Sequence, residues 1–141
     1  MLKQIPTKLS PELFKTMMEM GHGDELILTD GNFPAASNAQ RLIRADGHNV
    51  PELLDAILQF YPIDTFVEQP ISLMAKVSGD NYKPEIWPVF ENIVSKHFSG
   101  FSGFEMVERF DFYERAKKAY AIVATSETAR YANIILKKGI I

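Results

Sequence analysis

Cysteine is absent from this chain. Without it there is no disulfide, no thiolate nucleophile and no cysteine-based zinc site, which fits a reducing interior. Long apolar runs are lacking too: none approaches the ~20 residues that a membrane span requires. The opening residues, Met1-Leu2-Lys3-Gln4-Ile5-Pro6, lack the apolar stretch of a signal peptide, so a cytoplasmic protein with no membrane partner is expected. Charge of one sign is scarce. The formal net charge is −3 and the sequence pI about 5.6, and the longest basic runs are the pairs Lys117-Lys118 and Lys137-Lys138. That balance leaves no electrostatic footprint for nucleic acid. Also missing are a Walker loop, a dinucleotide glycine fingerprint, a Gly-x-Ser-x-Gly elbow and a His-Glu-x-x-His pair. No internal repeat or low-complexity segment occurs. What is present is 141 residues, 46% of them hydrophobic, enough for one domain spanning 1–141 with one sizeable core.

The punctuation along the chain predicts alternating helices and short strands. Ser10-Pro11-Glu12 is a helix start, with a capping serine, proline at the first helical position and acid in the first turn. Leu13, Met17 and Met20 recur at helical spacing, and Gly21 ends the run. The strand Leu26–Thr29 leads into the turn Asp30-Gly31-Asn32. Residues 33–40 read as irregular or briefly helical, and Arg41–Ala45 as a short strand. Asn49 and Glu52 form a capping box for a helix that Pro62 stops. A strand follows over Ile71–Val77, then a helix over Pro84–His97 and a loop at 98–103. The last third alternates quickly: strand Glu105–Phe110, helix Asp111–Ala119 capped by Asp111, strand Tyr120–Thr125, a helical turn over Ser126–Arg130, and strand Asn133–Lys137. This pattern predicts a single-domain, three-layer α/β/α fold with a parallel or mixed sheet.

Chemistry then falls to polar residues at loop ends: His22, Asp24, Asp30, Arg109, Tyr113, Glu114, Tyr120, Tyr131 and Asn133. His22, between two glycines, has the side chain best suited to proton transfer near neutrality, though an idle turn histidine has the same local sequence. Asp30 precedes a glycine after a strand, where a carboxylate commonly bonds its own backbone. Arg44 and Asp46 read as an ion pair, Trp87 as packing, and His48 and His97 have no evident partner. His22 and Asp30 sit at opposite ends of one short strand. They face one site only if the Gly21–Asp24 turn folds back over the sheet or a neighbouring subunit supplies part of the pocket.

Five segments, in order, carry a resemblance. They are Gly21-His22-Gly23-Asp24-Glu25, Asp30 with Asn32-Phe33-Pro34-Ala35, Ile43-Arg44-Ala45-Asp46-Gly47, Phe112-Tyr113-Glu114-Arg115-Ala116, and Tyr131-Ala132-Asn133-Ile134 leading to Leu136-Lys137-Lys138-Gly139. Together they resemble the sugar-mutarotase family that contains the L-fucose mutarotases and D-ribose pyranase. The third and fourth segments favour the fucose branch. The resemblance implies an isomerase that exchanges the α and β anomers of L-fucose, with no cofactor and no metal. It implies that His22 is the proton donor and that Asp30, Arg109, Tyr131, Ala132 and Asn133 bind the monosaccharide; the chemistry of ring opening adds the expectation that Asp30 helps His22 through a hydrogen bond or a bound water. Tyr113 and Tyr120 are further candidates: with Phe33 they are the aromatic faces open to the apolar side of a pyranose, and Tyr120 is also a possible proton-relay group. Two places depart from the family pattern, Tyr120 where phenylalanine is expected and the loop Phe-Ser-Gly-Phe-Ser-Gly-Phe at 98–104, and both bear on sugar preference. A homo-oligomer, a decameric ring with sites near subunit boundaries, is also implied. Two other readings compete: a mutarotase or pyranase for ribose or galactose, and a non-enzymatic sugar-binding regulatory protein.

Overall fold

In the computed structural model, which describes residues 1–141, side-chain alternation along the strands decides the layers. The elements are α1 (Pro11–Glu19), β1 (Glu25–Thr29), α2 (Ala35–Asn38), β2 (Leu42–Ala45), α3 (Val50–Leu58), β3 (Ile71–Met74), α4 (Ile86–His97), β4 (Glu105–Val107), α5 (Arg109–Lys118), β5 (Ala121–Thr125) and β6 (Ile134–Lys137). Within β1, Leu26 and Leu28 face one layer and Ile27 the other, as the period of two demands. Leu26 and Leu28 join Ile71, Leu73, Val123, Ile134 and Leu136 under Leu13, Leu54, Ile57, Phe90 and Val94 of α1, α3 and α4. Ile27, Ile122 and Ile135 pack instead on Ala35, Phe112 and Ala116 of α2 and α5. Helices therefore cover both faces of one sheet, the three-layer α/β/α arrangement.

The strand order is β2-β5-β1-β6-β3-β4. β6 runs antiparallel to both its neighbours, β1 and β3, while the other pairings are parallel. One rim of the sheet thus gathers the carboxyl ends of five strands together with the start of β6. This carboxyl rim is where α/β sheets place ligands. The opposite, amino rim gathers the starts of the five strands and the end of β6.

The helix starts follow their capping chemistry. Ser10 Oγ accepts from the Leu13 N–H at 3.1 Å, and Asn49 and Glu52 close a reciprocal capping box. His48 and His97 do have partners: His48 Nδ1 lies 3.2 Å from Glu52 Oε1, and His97 Nε2 lies 2.7 Å from Asp55 Oδ1, tying α4 to α3. Arg44 and Asp46 form the expected ion pair.

Several boundaries differ from the sequence reading: α3 ends at Leu58, short of Pro62, α4 starts at Ile86 rather than Pro84, and at three further places a side chain takes over backbone groups. β3 stops at Met74 rather than Val77, since the Val77 N–H turns to the Tyr131 hydroxyl at 3.3 Å. β4 stops at Val107, and Glu108 rather than Asp111 caps α5, its Oε2 accepting from the N–H groups of Phe110 and Asp111. Arg109 therefore opens a helix instead of lying within a strand. Residues 126–130 form no helical turn, because the Glu127 carboxylate accepts from the N–H groups of Thr128, Ala129 and Val50.

Candidate functional site

Asp30 follows β1 on the carboxyl rim and is buried. Asn133 precedes β6, and the antiparallel pairing of β6 with β1 brings the two together. Asn133 Oδ1 accepts from the Asp30 N–H at 3.0 Å, while Asn133 Nδ2 donates to Asp30 Oδ2 at 3.0 Å. Asp30 Oδ1 accepts from the Asn32 N–H at 3.0 Å. Burial pushes the Asp30 carboxyl above the usual carboxylate range, against the opposing pull of these bonds. The Asn133 amide and the Asn32 N–H are its direct donors, with the Phe33 and Ala132 N–H groups also facing it, and an ionised carboxylate can accept further from a ligand hydroxyl.

Beside this pair, Tyr131 adopts a left-handed backbone conformation, φ +60°, uncommon for a residue with a side chain. Neighbours clamp it there. The Trp87 indole N–H donates to the Tyr131 carbonyl at 2.9 Å, and the Tyr131 hydroxyl donates to Asp80 Oδ2. Arg130 pairs with the same Asp80 oxygen at 2.6 Å, and the Tyr131 ring stacks on Tyr82 at 6.2 Å. The hydrogen bond from Tyr131, with that from the Tyr82 N–H and the Arg130 charge, holds Asp80 below the usual carboxylate range. Ala132, fully buried, links this clamp to Asn133. Across the rim Arg109 is exposed, its Nε donating to the Tyr113 hydroxyl at 3.2 Å. Phe33 meets Tyr113 edge to face at 5.5 Å. Asp30, Arg109, Tyr113, Tyr131, Ala132 and Asn133 thus share one rim, where carboxylate, amide, guanidinium and aromatic faces meet. That mixture suits a neutral polyol.

His22 is elsewhere. Its turn precedes β1 on the amino rim and hangs on the end of β6, where the Gly23 N–H donates to the Lys138 carbonyl at 2.8 Å. A five-residue strand separates it from Asp30, about 17 Å at the rise of an extended chain. The turn does not fold back over the sheet. His22 Nε2 lies 3.1 Å from Asp64 Oδ1 instead, and the Phe66 ring lies 5.1 Å from the imidazole. Tyr120 also sits on the amino rim, before β5, with the Arg41 guanidinium 4.0 Å over its ring. Within one chain the structure joins six of the sequence candidates on one rim and leaves His22 and Tyr120 on the other.

Asp64, Asp80 and the tethering role of Trp87 escaped the sequence. Asp64 lies 42 residues from His22, with no local pattern to connect them. Trp87 does pack against the core as expected, and its indole N–H is the added feature. Among all residues, no three of histidine, aspartate or glutamate converge as a metal-binding group. No helix is long and apolar enough to cross a membrane.

Residues 3–141 match the family model described as the RbsD / FucU transport protein family. The human fucose mutarotase is 47% identical over 146 residues, spanning 99% of this chain and 94% of its own length. An L-fucose mutarotase of Haemophilus influenzae is 46% identical over 140 residues, spanning 99% of this chain and 97% of its own. Among solved structures, the fucose mutarotase of Streptococcus pneumoniae in complex with L-fucose aligns with a TM-score of 0.93 at 53% identity, covering 99% of both chains.

Proposed function

This chain belongs to the RbsD / FucU transport protein family, and we propose that within it the protein is an isomerase that interconverts the α and β anomers of L-fucose, acting as one domain over residues 1–141. The observation that carries this reading is its 53% identity, over 99% of both chains, to a fucose mutarotase whose structure holds L-fucose. The polyol-suited rim around Asp30 supports it independently.

Anomer exchange opens the hemiacetal, rotates about C1–C2 and closes on the other face of the carbonyl. Opening requires a proton delivered to the ring oxygen and one removed from the anomeric hydroxyl. His22 handles a proton in this scheme. Asp30 and Asn133, locked together, present a fixed acceptor and amide to the sugar hydroxyls, while Arg109 donates from the far side of the rim. The Tyr131-Ala132-Asn133 segment, held by Trp87 and Asp80, supplies the wall. Phe33 or Tyr113 offers the aromatic face for the apolar side of the ring. A positioned acid or base contributes about 10²–10⁴-fold, and because mutarotation already proceeds in water, so sparse a site suffices.

One chain cannot bring His22 to Asp30, so the site is completed between copies. His22 of one subunit meets the carboxyl rim of its neighbour in a homo-oligomer, a decameric ring in the cytoplasm. In this arrangement the exposed rings of Phe66, beside His22, and Phe110, beside Arg109, would lie at the subunit boundary. Tyr120, on the His22 side, is the second candidate for proton relay.

The test is His22→Ala, a substitution in an exposed turn that leaves the core untouched. Exchange of L-fucose anomers is expected to fall by about 10²–10⁴-fold while sugar binding is retained. Unchanged exchange would remove His22 from the mechanism, and binding without exchange in the unsubstituted protein would favour a regulatory sugar-binding module.

A further inference from the structure

Helix α5 has little apolar surface to seat it. Only Phe112 and Ala116 of the helix are buried, packed in one cluster with Ile27, Ile122 and Ile135 of the sheet and with the half-buried Tyr113 beside them. Two residues four apart make a single narrow stripe along a helix. Such a stripe sets how deep the helix lies but holds its roll about its own axis weakly. Roll matters here because α5 carries Arg109 and Tyr113 to the carboxyl rim. Side chains at a helix radius of about 5–6 Å shift by about 1 Å for every ~10° of roll. Misplacement on that scale is enough to cost a site most of a directed contact.

What resists roll is ionic. Arg115, next to Ala116 and half-buried, reaches down from the helix to two strands at once. Its Nε lies 3.2 Å from both Glu25 carboxylate oxygens, and its Nη2 donates to Glu25 Oε2 at 2.7 Å. The third nitrogen, Nη1, donates to Glu105 Oε1. That same oxygen accepts from the Ser72 hydroxyl at 2.9 Å, so Glu105 is itself held from β3. Glu25 opens β1 and Glu105 opens β4. Two strands, β6 and β3, lie between them, about 14 Å of sheet at the usual strand spacing. Burial pushes the Glu105 carboxyl up, but the bonds from Arg115 and Ser72, with the charges of Arg115 and Lys137, outweigh it and hold the group below the usual carboxylate range. A planar guanidinium with donors in fixed directions holds two carboxylates in one orientation, which an ammonium on a flexible stem does not.

We propose, on the sugar-contacting role given to Arg109 above, that Arg115 is a positioning residue: its grip on Glu25 and Glu105 fixes the roll of α5 and so the place where Arg109 meets the sugar. The two arginines stand six residues apart on one helix, about 9 Å along its axis. Arg115 faces the amino rim and never touches the ligand. Arg109 is exposed at the other end of the helix, and its one side-chain hydrogen bond, to the Tyr113 hydroxyl at 3.2 Å, stays within α5. Nothing in that bond ties Arg109 to the sheet, so its position relative to Asp30 and Asn133 is inherited from the helix. The Arg115 fork is the polar link between that helix and the strand that leads to Asp30.

The test is Arg115→Lys, which keeps the charge and gives up the fork, with anomer exchange of L-fucose followed against sugar concentration. The KM is expected to rise about tenfold or more, the scale of one weakened bond to a charged group. The maximal rate stays within about threefold, because His22 handles the proton in the scheme above and α5 does not carry it. Glu105→Gln, which leaves the Glu25 arm in place, raises the KM by less. Arg109→Ala raises the KM by itself. Adding Arg115→Lys to it should change the KM by less than about threefold, since a group that acts through Arg109 then has nothing left to place. A folded Arg115→Lys with the KM of the unsubstituted protein overturns the inference. So does a loss that simply adds to that of Arg109→Ala, which would make Arg115 a structural tie alone. If Arg115→Lys does not fold, an unchanged KM in Glu105→Gln overturns it equally. An unchanged KM in Arg109→Ala takes away the premise and the inference together while leaving anomer exchange standing, whereas no exchange by the unsubstituted protein sinks the functional reading itself.

Discussion

The amide of Asn133 is committed at both ends, its oxygen to the Asp30 N–H and its nitrogen to the Asp30 carboxylate. Only an asparagine can give and accept in that order at this spot. Replacing it with aspartate sets two carboxylates against each other in a buried place, where like charges each oppose ionisation of the other. The sign of the pH response follows. A carboxyl whose folded pKa lies above its unfolded value, as at Asp30, costs stability when ionised and is relieved as pH falls through the folded value. Asn133→Asp is therefore expected to melt below the unsubstituted protein at pH 7 and to close that gap on acidification. Its L-fucose affinity should fall at least about tenfold, the scale of losing one hydrogen bond to a charged group. Thermal melts against pH and titration calorimetry check both outcomes. Asp64, held low, behaves oppositely: its contribution is full above the ordinary carboxylate range and lost as pH falls through its folded value. At this scale the sequence was partly legible. Loop-end chemistry marked His22, Asp30 and Asn133, but nothing local marked Asp64, whose meaning comes from a contact across the fold.

Elements were more readable than residues where a periodic apolar face or a cap announces them. The serine–proline start of α1 and the capping box of α3 are local devices, and both stand where their residues put them. The misplaced boundaries have a common cause. Glu108 and Glu127 bond backbone N–H groups with side chains that sequence reading treats as solvated, so a strand ends early and a turn fails to coil. The segment through Tyr131 shows what such tethering does for a site. Its left-handed backbone persists because Trp87 and Asp80 hold both its carbonyl and its hydroxyl. Trp87→Phe removes the indole donor and keeps most of the packing. It should lower stability by about 1 kcal/mol, the net worth of one such bond. On the proposed reading it should also raise the KM for L-fucose more than it lowers the maximal rate, since the wall against the sugar loosens while the proton-handling His22 is supplied by a neighbouring copy. Denaturant melts and exchange kinetics measured on the same samples decide the matter.

Over the whole molecule, the order of the strands is what assembles the carboxyl rim. Only because β6 runs against its neighbours does Asn133, at the start of the last strand, reach Asp30 at the end of the first. Strand order and direction depend on long-range pairing that the single sequence did not show, although the α/β class and its three layers were evident from the alternation of elements. The same topology keeps His22 at the far rim, and from this follows the proposal that a second copy completes the site. Mixing His22→Ala with Asp30→Ala subunits and letting them reassemble tests that consequence. If every site takes its histidine and its aspartate from different copies, random assembly restores about a quarter of the sites of the unsubstituted protein. A site held within one chain restores none.

The most direct measurement on the central claim is saturation-transfer proton NMR on L-fucose, irradiating one anomeric proton and observing the other with and without a catalytic amount of protein. Transfer is expected with the protein and not without it, faster for L-fucose than for ribose or galactose, and absent with His22→Ala. No transfer for any of these sugars, while the sugar lines broaden on the protein, would contradict the assignment of anomer exchange and leave a protein that binds the sugar without turning it over.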